Sequence, residues 1–115
     1  MDRAALVEAL KRNRTIDITT VGAKSGQPRR IETWAWLDGE TVYLTGTPGR
    51  RDWYANLRAN PDFTLHLKQG ARLEVAVRAR PIEDEEERRS VFERLRPAQV
   101  DVWTAGAPLV EVEFS

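Results

Sequence analysis

No cysteine occurs among the 115 residues, and there is one histidine and one methionine. That excludes disulfides, thiolate nucleophiles and cysteine-held metals, and one imidazole cannot by itself make a metal centre. A chain without disulfide chemistry suits a reducing compartment, and we expect a cytoplasmic protein. Net charge is missing too: 18 basic and 18 acidic side chains cancel. No whole-molecule field therefore draws the chain to nucleic acid or to an anionic membrane, and any anion recognition must be local. The longest apolar runs are a few residues, against about 20 for a membrane span. The first 14 residues carry Glu8 inside their apolar stretch and show no cleavage-site pattern, unlike a signal peptide. Neither a Gly-x-Gly-x-x-Gly fingerprint nor a phosphate-binding P-loop is present.

What is there fits one domain over residues 1–115, since a chain this long hides roughly 65% of its extended surface on folding and supports one core. Leu6, Val7 and Leu10 stand at helical spacing in the stretch from Arg3 to Arg12. This amphipathic helix has an apolar face only two turns long, which suits plugging a barrel end better than lying on a membrane. From Thr15 the residues become β-branched, and the strand from Thr15 to Val21 is closed by Gly22. Arg29 to Leu37, the turn dipeptide Asp38-Gly39 and Glu40 to Thr45 read as a hairpin. Asp52 is a natural N-cap for a helix bearing Trp53 and Leu57, stopped by Asn60-Pro61. Phe63 to Lys68 and Arg72 to Arg80 alternate as strands around Gln69-Gly70. Glu83 to Leu95 is a charged helix with the apolar stripe Val91, Phe92 and Leu95, and Leu109 to Phe114 is a closing strand. Six strands joined by tight hairpins must pair antiparallel, so the expected fold is mainly β: a six-stranded closed or split antiparallel barrel with short flanking helices.

Three places carry candidate chemistry. Residues 22–30 join the first two strands with two glycines, the Ser25 hydroxyl and the cations Lys24, Arg29 and Arg30, with Gly26 and Gln27 completing the turn. In outline this is a cradle in which backbone N–H groups and positive side chains meet an anion; a solvated basic hairpin is the plainer reading. In the next strand, alternation sends Ile31, Thr33, Ala35 and Leu37 to one face, a barrel interior, and Arg30, Glu32, Trp34 and Trp36 to the other. That second face looks like one covered by something flat: a ring, a second subunit in a homodimer, or both. Behind Gly46, a further polar cluster of Thr47, Arg50 and Arg51 precedes the second helix, although a capping Asp52 argues against an anion on its axis. His66, between Leu65 and Leu67, reads as structural or cofactor-adjacent, with no triad spacing around it.

The run Thr19-Thr20-Val21-Gly22-Ala23-Lys24-Ser25-Gly26-Gln27-Pro28-Arg29 resembles a Thr-Thr-x-Gly-Arg-Lys-Ser-Gly-x-Pro-Arg signature. Asp52-Trp53-Tyr54-Ala55-Asn56-Leu57 through Asn60-Pro61 resembles a Trp-Tyr-x-Asn-Leu-x-x-Asn-Pro segment. Both belong to the deazaflavin-dependent nitroreductases, or F420H2-dependent quinone reductases, and the similarity runs from about Thr15 to Leu95. The resemblance implies an FMN-binding type of split barrel and a reduced deazaflavin, coenzyme F420, passing hydride to a small apolar acceptor such as a nitro compound, quinone or activated alkene. It places Lys24, Ser25 and Arg29 on the cofactor's phosphate-bearing tail and Trp53 near its ring. With the residues above, the candidate cofactor-binding set is Lys24, Ser25, Gly26, Gln27, Arg29, Glu32, Trp34, Gly46, Thr47, Arg50, Arg51 and Trp53. Trp103 is the candidate substrate contact in a C-terminal segment that lacks the family's tyrosine-rich stretch. Ala23 replaces a frequent cation, and Glu32 an apolar residue. FMN is the alternative cofactor, a non-catalytic carrier the alternative function. No side chain stands out as a general acid, so no catalytic residue is assigned.

Overall fold

Alternation of β-branched and polar residues sets the inside and outside of each strand, and the sheet they build closes on itself. The computed structural model describes residues 3–46, 51–68, 73–95 and 106–114. Its elements are α1 (Arg3–Arg12), β1 (Thr15–Val21), β2 (Pro28–Asp38), β3 (Thr41–Thr45), α2 (Asp52–Ala59), β4 (Asp62–Leu67), β5 (Glu74–Pro81), α3 (Glu85–Leu95) and β6 (Leu109–Glu113). The strands run β1-β2-β3-β6-β5-β4 around a closed barrel, and every neighbouring pair is antiparallel. The expected six-stranded antiparallel barrel is therefore what forms. The turn between β2 and β3 lies one residue later than its dipeptide suggests. Asp38 still pairs with Thr41, so Gly39 and Glu40 make the connection. Gly39 has φ +60°, a conformation that costs other residues strain.

The interior is filled by inward-pointing residues from all six strands, including Ile16, Ile18, Ala35, Leu44, Leu65, Val77 and Val112. α1 inserts Leu6, Val7 and Leu10 into the same core, so its apolar stripe is spent inside the protein's own barrel. Among the described residues no helix is long and apolar enough to cross a membrane. α2 closes the opposite end with Trp53 and Leu57.

The outer face of β2 departs from expectation. Trp36 is not left for a ring or a second subunit: it is buried with Tyr43, Ile82, Ala107 and Leu109 beneath Val91 and Phe92 of α3. Arg14 stacks over its ring at 5.1 Å. Trp34, two residues away on the same face, stays 54% exposed. α3 begins later than expected because Asp84 caps it, its carboxylate accepting from the Glu87 amide at 2.9 Å. Arg80 fastens the helix by pairing with Glu87 at 2.8 Å and with Glu111 at 2.6 Å.

Further around the barrel, Asp17 accepts hydrogen bonds from Arg30 at 2.9 Å and sits 3.1 Å from Lys68, which also meets Glu32. Burial alone would raise the Asp17 carboxyl; the hydrogen bonds from Arg30 and Lys68 more than offset it and hold the carboxyl below its usual value.

Two outcomes follow for stability. Phe92→Ala removes the largest side chain that α3 itself buries and should cost about 3–5 kcal/mol in denaturant unfolding, as for other buried aromatics. Because the folded Asp17 carboxyl titrates lower than the unfolded one, its contribution is complete above about pH 4 and is lost as pH falls through the lowered folded value. Asp17→Asn should therefore flatten the acid side of the stability curve while costing stability at neutral pH, which unfolding series between pH 3 and pH 7 would show.

Candidate functional site

The loop of residues 22–27 lies at the barrel end closed by α2. Gly22 is buried, and a Cβ there would come within 2.4 Å of the Ser25 hydroxyl oxygen, so any other residue would have to displace the Ser25 side chain. Its amide donates to the Gln27 carbonyl at 2.9 Å, and the Gly26 amide returns to the Gly22 carbonyl at 3.0 Å. Gly26 itself has φ +68°. The Gln27 amide donates to Ser25 Oγ at 3.1 Å, and the Ala23 amide to Asn56 Oδ1 at 2.9 Å. This narrows the expected cradle. The amides of Gly22, Ala23, Gly26 and Gln27 are engaged within the protein, so these four do not turn to an anion.

Nearby side chains line one cleft. Lys24, Ser25 and Arg29 stand at its mouth with Asp52, while Thr20, Ile31, Trp53, Ala55 and Asn56 form its walls and floor, around a volume of about 320 Å³. Trp53 is buried in the core and turns an edge toward Tyr54, with ring centroids 6.0 Å apart. Burial, reinforced by the Glu83 charge, holds the Tyr54 hydroxyl above its usual range, so the phenol stays neutral at physiological pH. Cations at the rim and an apolar floor let the cleft hold a flat, anion-tailed molecule by one end.

Other candidates lie elsewhere. Arg30 points to the outer surface, where it pairs with Asp17, so the loop offers two cations to the cleft, not three. Glu32 is on that outer face, paired with Lys68, and Trp34 shares the face. Neither reaches the cleft lined by the opposite side of β2. Gly46 ends β3, with open space where a Cβ would be. Arg51, not Asp52, occupies the N-cap position of α2, and its side chain makes no capping hydrogen bond. It lines a neighbouring groove with Tyr54, Arg58 and Arg88. Thr47, Arg50 and Trp103 lie outside the described residues. His66 is buried on the outer side of the barrel, its Nε2 2.7 Å from Thr19 Oγ1 and its Nδ1 3.6 Å from Glu74. Among the described residues no three metal-ligating side chains converge.

A larger depression, about 740 Å³, crosses the outside of β1, β4 and β5 over Thr19, Thr64 and Ala76. Its charged rim residues Arg78 and Asp62 face each other at 3.6 Å, so it is larger than the cleft but poorer in groups that would orient a ligand. Thr20 and Asn56 are site residues that the pattern reading passed over. Asn56 had a signal: a polar side chain one turn after Trp53 on the buried face of a helix has to find partners.

Among solved structures, a conserved hypothetical protein of Mycobacterium tuberculosis superposes with a TM-score of 0.70 at 22% identity, covering 96% of this chain and 79% of its own. The haem storage protein of Vibrio cholerae gives 0.68 at 16%, covering 97% and 89%. An F420-H2-dependent reductase gives 0.57 at 22%, covering 88% and 95%. At these identities the likeness is one of fold, the split barrel, and the different descriptions show that the fold alone does not select a chemistry. A sequence-family model is more specific: the one described as F420H(2)-dependent quinone reductase matches residues 2–107. Matched along nearly its whole length, and with both of that family's motifs meeting at one cleft, the chain belongs to the F420H(2)-dependent quinone reductase family.

Proposed function

We propose that the protein is a deazaflavin-dependent oxidoreductase that binds coenzyme F420 in the cleft beside Trp53 and passes hydride to a small apolar acceptor: a nitro compound, a quinone or an activated alkene. The supporting observation is the convergence of Lys24, Ser25 and Arg29 with Trp53, from two separated motifs, on one cleft. The residues fit the group. Lys24, Arg29 and the Ser25 hydroxyl are donors suited to a phosphate, and Trp53 with Ile31 offers a dry surface to a ring. The bound cofactor supplies the hydride chemistry. The chain's part is to bind and orient, and to keep water from the ring. Among the described residues lining the cleft, Asp52 is the only carboxylate and it stands exposed at the mouth. The balancing proton is therefore assigned to solvent.

One observation favours FMN as a second reading. With Ala23 in a place often held by a cation and Arg30 turned to Asp17, two cations remain, enough for a single phosphate. We further propose that the protein acts in the cytoplasm, and that Trp34, exposed on the outer face, is where a second copy would pack in a homodimer.

Reduced coenzyme F420 should be oxidised in the presence of menadione or a nitroaromatic. Tight binding without turnover would instead make the protein a carrier, and tighter binding of FMN than of F420 would move the assignment to the second reading. Arg29→Ala should weaken F420 binding by roughly 10- to 100-fold, the worth of a hydrogen bond to a charged group, and Lys24→Ala somewhat less. Both losses should shrink as salt is raised. Unchanged affinity in both variants would remove the cradle.

A further inference from the structure

Asn56 is a buried amide in the middle of α2, on the face that also carries Trp53 and Leu57. Burying an amide is unfavourable unless its hydrogen-bonding atoms find partners. Both of its polar atoms find partners, at two places in one short segment: Oδ1 accepts from the Ala23 amide at 2.9 Å, and Nδ2 donates to Thr20 Oγ1 at 3.1 Å. Thr20 is the last buried residue of β1, and Ala23 immediately precedes Lys24 and Ser25. One side chain thus ties the helix to the strand end and to the first residue of the turn that follows. One helical turn earlier, Trp53 is locked into the barrel core. Helix, tryptophan and loop are held as one unit.

We infer that Asn56 is a positioning residue: its two hydrogen bonds fix the Lys24–Ser25 turn at a set distance from the Trp53 floor, so that the cleft is preorganised for a ligand with an anionic end and a flat end. The inference rests on the cofactor reading above. Without the clamp, the turn keeps its internal bonds between Gly22, Gly26 and Gln27 but loses its anchor to α2. Lys24 then samples positions away from the cleft, and the ligand must restrain it on binding, which weakens affinity. In this proposal the clamp acts through Lys24 and Ser25: Asn56 lines the cleft, but its Oδ1 and Nδ2 are already bonded to Ala23 and Thr20, which separates it from the cradle residues.

The test is a double-mutant cycle read by titration with oxidised coenzyme F420, with thermal unfolding alongside. Asn56→Ala should weaken binding about tenfold in the otherwise native protein and less than about threefold in the Lys24→Ala background. Thr20→Val, which removes one of the two bonds at nearly constant volume and secures the test if Asn56→Ala folds poorly, should weaken binding about threefold, and less in the Lys24→Ala background. Hydrogen exchange without ligand should speed up in residues 22–27 of Asn56→Ala and not in β3 or β6. An equal loss in both backgrounds would overturn the inference, since Asn56 would then act independently of Lys24. So would a loss of thermal stability with no loss of affinity. If Lys24→Ala alone leaves affinity unchanged, the cradle reading falls and the inference with it; if Lys24→Ala weakens binding and Asn56→Ala does not, only the inference falls.

Discussion

Because β1 is hydrogen-bonded to β2 on one side and to β4 on the other, the sheet has no free edge. Each residue along it belongs either to a dry interior or to an outer surface. Ile16 and Ile18 face a core completed by inward side chains from the other five strands, and the two ends of the barrel are the places where that core would meet water. α1 seals one end and α2 the other. The cleft exists because the second seal is partial: α2 lies against the β1–β2 loop and leaves a gap between its Trp53 face and the turn at Lys24.

The same closure separates two charge systems that adjoin in sequence. Arg29 and Arg30 are neighbours, yet alternation sends Arg29 to the cleft and Arg30 to the outer surface. There Asp17, Lys68 and Glu32 complete a network that links β1 and β2 to the residue following β4. Exposed ion pairs of this kind add little stability individually, and their position leaves the cleft with a small excess of positive charge in a chain that has none overall. Under the proposed function, recognition of an anion is local, through the exposed cations Lys24 and Arg29 at the rim of the cleft.

Most of the architecture was legible because its determinants are local. Asp38 and Gly39 mark a turn by backbone sterics, Leu6, Val7 and Leu10 mark a helix face, and the alternation in Thr15–Val21 marks a half-buried strand. The differences arose where a distant element decides. Trp34 and Trp36 share a face and look equivalent in sequence, but α3, some fifty residues later, covers only Trp36. Asp52 has the chemistry of a helix cap, yet the chain enters the helix one residue earlier, through Arg51 in an extended conformation. The two glycines of the β1–β2 loop suggested free amides, but the turn they permit consumes those amides internally. Motif similarity located the cleft without revealing its construction, since the bonds of Asn56 to Thr20 and Ala23 cross 36 and 33 residues.

Under the proposed function, the ring of the cofactor lies in the cleft at the α2 end of the barrel and not on the outer face of β2. Each location has its own tryptophan, Trp53 in one and Trp34 on the other, so emission quenching on addition of oxidised coenzyme F420 reads the position directly. The expected result is that Trp34→Phe keeps most of the quench of the native protein, whereas Trp53→Phe, a swap that retains an aromatic filling of the core, loses much of it and binds modestly more weakly. A quench that survives Trp53→Phe and disappears in Trp34→Phe would contradict the account and place the ring on the outer face.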